Sequence, residues 1–194
     1  MSRPGHVLTP RISTSSLEPL SIAEAARVLA SQAAGLCSPE RRALCGSDCC
    51  RPLPGAHGRV VAVTLPDLVT MARHLYGQGQ PFQLQEAVEE LLRCYCSLSP
   101  YTGAYMLAGS GQCCPFLSES ELCAVYEARP LLCRLFYHCE WIGSALQWDW
   151  QLDARLMRAV LALAQQLARL WPAQRNRLWR TPTSYEVIAL PEEP

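Results

Sequence analysis

The sequence of 194 residues carries no net charge, because 17 Lys and Arg residues balance 17 Asp and Glu residues. A chain without excess positive charge offers no bulk attraction to nucleic acid or to an anionic membrane. Its first residues also lack the continuous apolar run that a secretory signal requires. The longest apolar segment, residues 160–170, is interrupted by Gln165, Gln166 and Arg169, which excludes a membrane-spanning helix. We therefore predict a cytoplasmic protein with neither a nucleic-acid partner nor a membrane partner.

Several enzyme motifs are absent as well. The sequence contains no Gly-rich phosphate loop, no Gly-x-Ser-x-Gly nucleophile motif and no His-Glu-x-x-His motif. It also lacks the Cys-x₃-Cys-x₂-Cys run of radical enzymes and a recognisable pair of acid/base carboxylates. These absences leave the catalytic residues unknown.

The apolar content is nevertheless enough for a packed core, since hydrophobic residues make up 49% of the chain and charged residues 18%. Apolar residues recur at helical spacing in segments that begin with capping residues, such as Ser21 with Glu24 and Thr64 with Asp67. The longest predicted helix begins after Asp149 and ends before Pro172. The predicted helices cover residues 22–34, 65–76, 83–96, 130–136 and 149–171.

Little β structure is predicted. Residues 59–63 form a short strand, residues 115–126 form a hairpin and residues 185–190 form an edge strand, whereas residues 97–112 form a loop. The predicted fold class is mainly α with a small β-hairpin, in a compact metal-stabilised single domain built around two cysteine clusters. Its segments are a flexible N-terminal arm at 1–18, a cysteine-cluster metal-binding domain at 19–180 and an extended C-terminal tail at 181–194.

The cysteines are the most informative residues that are present. There are eleven of them, and five lie between Cys113 and Cys139, while three more form the segment Cys45-Gly46-Ser47-Asp48-Cys49-Cys50. An odd number cannot pair completely within one chain, and the cytoplasm keeps most thiols reduced. Adjacent cysteines such as Cys49 and Cys50 point in different directions, so they cannot share one buried strand face. These clusters therefore predict a metal ion or an iron–sulfur centre.

The downstream cluster reads Cys114-Pro115-Phe116-Leu117, followed by Cys123-Ala124-Val125-Tyr126-Glu127-Ala128-Arg129-Pro130-Leu131-Leu132-Cys133-Arg134. It resembles the YkgJ-like cysteine-cluster family, whose pattern is Cys-x-Phe-Leu and then Cys-x-(Ile/Val)-Tyr-Glu-x-Arg-Pro-x-x-Cys-Arg. The resemblance covers residues 45–139 and implies a zinc- or iron-chelating domain.

The upstream motif departs from the family form Cys-x-x-Cys-Gly-x-Cys-Cys. One extra residue follows Gly46, and no cysteine lies three positions before Cys45, so Cys37 is the candidate for the missing thiolate. We interpret Cys94 and Cys96 as small buried apolar residues. Whether Cys113 or His138 binds metal stays open. The resemblance implies eight metal ligands: Cys37, Cys45, Cys49, Cys50, Cys114, Cys123, Cys133 and Cys139.

The kind of metal is not decided by spacing. Four thiolates hold one tetrahedral zinc ion or one iron–sulfur cluster, and eight could hold two centres. The paired Cys-x₂-Cys spacing of zinc ribbons and the cysteine run of ferredoxins are both absent. Zinc and iron, including a 4Fe-4S cluster, therefore remain alternatives. Our leading hypothesis is that both clusters converge on one centre.

Two further functions stay open. The family's cysteine motif is similar to part of the flagellin lysine-N-methylases, which favours iron and implies an S-adenosylmethionine-dependent protein lysine methylase, or a component of one. The other is an interaction module whose metal only stabilises the fold. Some tryptophans are predicted to contact an unidentified protein partner. These candidates are Trp148, Trp150, Trp171 and Trp179.

The Arg129-Pro130 step before Cys133 has a structural interpretation and a functional one. In the structural interpretation, Arg129 caps backbone carbonyls or pairs with Glu127, and Pro130 stiffens the approach to Cys133. In the functional interpretation, the charge near the sulfur atoms tunes the metal. We favour the structural interpretation.

Overall fold

The fold is taken from a computed structural model that describes residues 20–33, 50–51, 61–77, 83–107, 113–135 and 149–192. It is mostly helical and includes an antiparallel hairpin, which confirms the predicted fold class of a compact, mainly α domain. The predicted arm at 1–18 lies outside the described residues, and the domain boundaries stay predictions. The helices are α1 (Ile22–Ala33), α2 (Leu65–Tyr76), α3 (Leu84–Tyr95), α4 (Leu131–Arg134), α5 (Trp150–Leu170) and α6 (Arg175–Leu178). The strands are β1 (Cys96–Leu98) and β2 (Tyr105–Leu107).

The helix starts agree with the capping residues that the sequence predicts. Before α1, the Ser21 amide donates to the Glu24 carboxylate at 2.8 Å, and the Glu24 amide donates to the Ser21 hydroxyl at 3.1 Å. Before α5, the Leu152 amide donates to the Asp149 carboxylate at 3.1 Å. Each side chain accepts a bond from an amide that has no partner inside the helix. The predicted starts of α1 and α5 are therefore confirmed.

The hairpin lies in a different place from the predicted one. β1 and β2 pair in antiparallel register with Ser97 opposite Met106, so the prediction of a loop over 97–112 is wrong for these residues. The connecting turn is closed by a 2.9 Å bond from the Ser99 amide to the Ala104 carbonyl, and Gly103 adopts a φ of 65°. Such short strands carry almost no alternating pattern, so their pairing depends on contacts that the local sequence does not encode.

The other β predictions are partly confirmed. Residues 61–63 pair with the edge of β2 that does not face β1. The Leu107 amide donates a hydrogen bond to the Val61 carbonyl at 2.9 Å, and the Val63 amide donates to the Tyr105 carbonyl at 3.0 Å. The predicted hairpin at 115–126 is a tight turn whose arms meet at an isolated bridge between Leu117 and Cys123. The predicted strand at 185–190 begins with a 3₁₀ turn at Tyr185–Val187, and only its second half pairs, through the bridge between Ala189 and Ser21.

Helix α5 joins two parts of the core. Its first half packs against α1, α4 and Leu190, whereas Leu167 near its end packs against α2 and α3. Helical periodicity predicts an apolar stripe on α5 that consists of Leu152, Leu156, Val160, Leu163, Leu167 and Leu170. Four of these side chains are buried, whereas Leu163 and Leu170 are half-buried. Among the described helices, none has both the length and the apolar character needed to cross a membrane.

Candidate metal centre

Four of the eight predicted ligands can be located. Their side chains are all half-buried: Cys50, Cys114, Cys123 and Cys133. The other four lie outside the described residues: Cys37, Cys45, Cys49 and Cys139. His138 lies outside them as well, and Cys113 is exposed.

The upstream cluster contacts the downstream cluster through its last cysteine. The Cys114 amide donates a hydrogen bond to the Cys50 carbonyl at 2.8 Å. Next to this bond, the guanidinium of Arg51 forms an ion pair with the carboxylate of Glu121. Cys50 and Cys114 are 64 positions apart in the sequence, so this contact is tertiary. The backbone at the end of the upstream cluster is therefore in contact with the backbone near the start of the downstream cluster.

A tight turn then brings Cys114 and Cys123 onto neighbouring arms. The Leu117 amide bonds to the Cys114 carbonyl at 3.0 Å, and Leu117 forms the isolated bridge with Cys123. The turn between the arms is closed by a 2.8 Å bond from the Ser118 amide to the Leu122 carbonyl. The family pattern Cys-x-Phe-Leu followed by cysteine thus corresponds here to the two arms of one turn.

The Arg129-Pro130 step connects this turn to α4, which carries Cys133. Arg129 donates from Nε to the Tyr126 carbonyl at 2.9 Å, and its guanidinium carbon lies 3.7 Å from the centre of the Tyr126 ring. Arg134 donates from Nε to the Arg129 carbonyl at 2.8 Å. The interpretation that Arg129 caps a carbonyl is confirmed. These contacts fix the backbone between Cys123 and Cys133.

The start of α4 is held by Asp67, a residue that the sequence predicted only as part of a helix cap. Asp67 is fully buried in the first turn of α2, and its Oδ1 accepts a 2.8 Å bond from the Leu131 amide. Its Oδ2 accepts bonds from the Thr64 amide at 3.0 Å and from the Tyr185 hydroxyl at 2.8 Å. The Thr64 and Tyr185 hydroxyls also bond to each other. The capping-box pattern identified Asp67 and Thr64, but no sequence signal pointed to Leu131 or Tyr185.

Burial shapes the acid–base properties of this region. It raises the pKa of Asp67, and the hydrogen bonds from Leu131, Thr64 and Tyr185 oppose that rise. Burial and then the nearby Asp67 carboxylate raise the pKa of Cys96 to about 12. A thiol with such a pKa stays protonated at neutral pH, and a protonated thiol is a poor ligand. Cys94 is exposed. That neither residue binds metal stays a prediction.

Within the described ranges, no group of three or more His, Cys, Asp and Glu side chains is arranged to hold a metal ion. The donor chemistry of the predicted set still suits a metal, because all its members are thiols. Thiolates are the preferred ligands of structural zinc and of iron–sulfur clusters.

Comparison with known proteins gives one match. The model of the CxxCxxCC family, described as a "putative zinc- or iron-chelating domain", matches residues 36–153. No curated protein and no solved structure matches. The matched range covers more than half of the chain and contains all eight predicted ligands as well as the contact between Cys50 and Cys114. The chain therefore belongs to the CxxCxxCC family.

Proposed function

We propose that this protein binds zinc or an iron–sulfur centre through thiolates from both cysteine clusters, which converge on one centre. The observation that carries the proposal is the 2.8 Å bond between the Cys114 amide and the Cys50 carbonyl. A bond between their backbones makes one cysteine of each cluster a neighbour of the other in the fold, and this supports a shared centre, in which the ligand sulfurs of a zinc tetrahedron would lie about 4 Å apart.

The four ligands of such a centre would be drawn from eight candidate cysteines. Cys50, Cys114, Cys123 and Cys133 are the candidates among the described residues, where turn and helix contacts hold the backbone around them. The other candidates lie outside the described residues: Cys37, Cys45, Cys49 and Cys139. A zinc ion would supply a cross-link between the clusters, whereas an iron–sulfur cluster would add the capacity to carry an electron.

The test is anaerobic purification of the full chain, followed by metal and sulfide analysis and a visible absorption spectrum. Iron with acid-labile sulfide and a brown colour identifies a cluster. A colourless protein with stoichiometric zinc identifies a zinc site. A folded protein that contains neither metal, and that takes up neither under reducing conditions, contradicts the proposal.

The methylase alternative leads to a different experiment. A methylase binds S-adenosylmethionine in an enclosed pocket next to its reactive centre. A groove of about 540 Å³ lies at the end of α5, and it is lined by Gln85 and residues 172–177, none of which is a cysteine. We expect no saturable binding of S-adenosylmethionine by calorimetry. Saturable binding at micromolar concentration would favour the methylase over a binding module.

A further inference from the structure

We propose that Asp67 is a positioning residue for Cys133, and that Tyr185 holds Asp67 in the orientation that this requires. The inference rests on the proposed metal-binding function, because its consequence is the placement of one thiolate ligand. The carboxylate of Asp67 accepts hydrogen bonds from the cap of α2, from the start of α4 and from the C-terminal segment that contains Tyr185.

The first step concerns the short helix α4. It has only four residues, Leu131–Arg134, and it follows Pro130, which has no amide hydrogen to donate. An isolated helix of one turn is unstable in water, so outside contacts must define its direction. The Asp67 bond to the Leu131 amide is such a contact, and Cys133 follows two residues later, about 3 Å along the helix axis.

The second step concerns the cost of burying Asp67. Its side chain has no exposed surface, and burial of a carboxylate without hydrogen bonds is unfavourable by several kcal/mol. Asp67 accepts bonds on both oxygens, with Leu131 on Oδ1 and with Thr64 and Tyr185 on Oδ2. A helix cap alone does not need this arrangement, because exposed capping residues stabilise helices equally well. The extra bonds join α2 to α4 and to the C-terminal segment.

The third step concerns Tyr185. It lies outside the matched range of residues 36–153, yet its hydroxyl donates to Asp67 Oδ2 at 2.8 Å. Packing supports the same link, since Leu190 and Leu131 belong to one core cluster, against which Tyr185 also packs. The C-terminal segment therefore extends the support of the metal site beyond the part of the chain that the family defines.

The experiment compares the full-length wild type with Asp67→Ala and with a control in the same helix, Thr70→Ala. Both variants remove a side-chain hydrogen bond of α2, but the Thr70 hydroxyl bonds within the helix, to the Pro66 carbonyl at 2.8 Å, whereas Asp67→Ala removes the acceptor of the Leu131 amide. Removing residues that orient metal ligands commonly weakens metal affinity by about 10–100-fold. We expect a loss of zinc affinity in this range for Asp67→Ala, measured by chelator competition, and a weaker thiolate-to-cobalt absorption band after cobalt substitution. Thr70→Ala should retain the wild-type cobalt spectrum and lose less than about tenfold in affinity.

A second measurement does not depend on metal. Each metal-free protein is treated with iodoacetamide, and the alkylation rates of Cys133 and Cys123 are compared by mass spectrometry. Displacement of α4 raises the rate at Cys133 relative to Cys123, whereas general destabilisation raises both. We expect the ratio to rise in Asp67→Ala and to stay at the wild-type value in Thr70→Ala.

The outcomes separate the two proposals. If the wild type binds neither zinc, nor cobalt, nor an iron–sulfur cluster, the proposed function fails, and the alkylation ratio alone decides the positioning role. If the wild type binds metal but Asp67→Ala and Thr70→Ala show equal affinities and equal ratios, the positioning role is wrong and the proposed function stands. If Asp67→Ala does not fold, Tyr185→Phe takes its place, with the exposed Tyr101→Phe as its control. Equal metal affinity and equal ratios in these two variants would then overturn the inference.

Discussion

The hydroxyl of Tyr185 donates a 2.8 Å hydrogen bond to Oδ2 of Asp67, 118 residues earlier in the chain. Burial raises the pKa of Asp67, and burial together with the Asp67 charge raises the pKa of Tyr185 well above its ordinary value. Other charged or titratable groups act on this pair from nearby elements. Arg134 lowers the pKa of Tyr185, and the raised pKa of Cys96 reflects burial and then the same Asp67 carboxylate. Through the bonds of Asp67 to Tyr185 and to the Leu131 amide, α2 is joined to the C-terminal segment and to α4.

Stability should depend on pH through Asp67. Because its pKa is raised above the ordinary value of 3.8, its contribution is complete below pH 3.8 and is lost as the pH rises through the pKa of the folded state. The free energy of unfolding of the wild type, relative to Asp67→Asn, should therefore fall with rising pH in this window, by at most about 1.4 kcal/mol per pH unit. Urea unfolding of both proteins at several pH values measures the difference, and comparing the pair cancels the titration of the shared cysteines. A difference that grows with pH would contradict the expectation.

The ligand assignment predicts two classes of cysteine variant. Cys114→Ser, Cys123→Ser and Cys133→Ser should each lose metal and much of their stability, because metal binding contributes about 10–16 kcal/mol in small zinc peptides, against a folding margin of about 5–15 kcal/mol. The control is Cys94→Ser, which changes an exposed side chain and should keep both. The measurements are metal content per chain and the midpoint of thermal unfolding. Loss of metal from the control alone would overturn the assignment.

Cys37 provides a separate test, because the family form has a cysteine three positions before Cys45 and this chain does not. If Cys37 supplies the missing thiolate, Cys37→Ser should lower the metal content and the thermal midpoint as strongly as Cys133→Ser does. Metal content at the wild-type value would remove Cys37 from the ligand set. The remaining seven cysteines would then be tested one by one.

The ion pair between Arg51 and Glu121 should contribute little to stability. Both side chains are partly exposed, at 39% and 60%, and pairs of this kind typically contribute about 0.2–1 kcal/mol. Glu121→Gln should lower the free energy of unfolding by no more than this, and the effect should shrink in high salt. Glu119→Gln, in the same turn, removes a charge from another exposed residue and serves as the control. A loss above about 2 kcal/mol would mean that this pair, rather than the metal and the backbone bond, holds the clusters together.

The core of α5 offers a contrast between neighbouring residues. Leu156 is fully buried, whereas the next residue, Met157, is 44% exposed. Leu156→Ala should cost about 2–5 kcal/mol of stability, because it removes buried methyl groups and leaves a cavity. Met157→Ala should cost less than about 1 kcal/mol, since surface substitutions usually have small effects. Chemical denaturation of both variants measures the difference in the free energy of unfolding. Similar losses of stability in the two variants would contradict the burial of Leu156 and the exposure of Met157.

The sequence by itself determined the local structure and the chemistry. The capping residues Ser21, Thr64 and Asp149 define helix starts through bonds to amides within three positions, so a local pattern was sufficient. The apolar stripe of α5 follows from helical periodicity in the same way. The cysteine pattern also carried the family assignment, because the identity and spacing of the cysteines are properties of the chain itself.

Only the tertiary structure decided how these parts meet. No local sequence pattern predicts three of the contacts in the structure. These are the pairing of β1 with β2, the bond between Cys114 and Cys50, and the bonds of Asp67 to Leu131 and Tyr185. A hydrogen bond between residues far apart in sequence requires both to be brought together by packing, and packing depends on the whole core. Asp67 illustrates the difference most clearly. Its sequence context predicted a helix cap, whereas its complete burial against α4 and the C-terminal segment makes it a candidate support of the metal site.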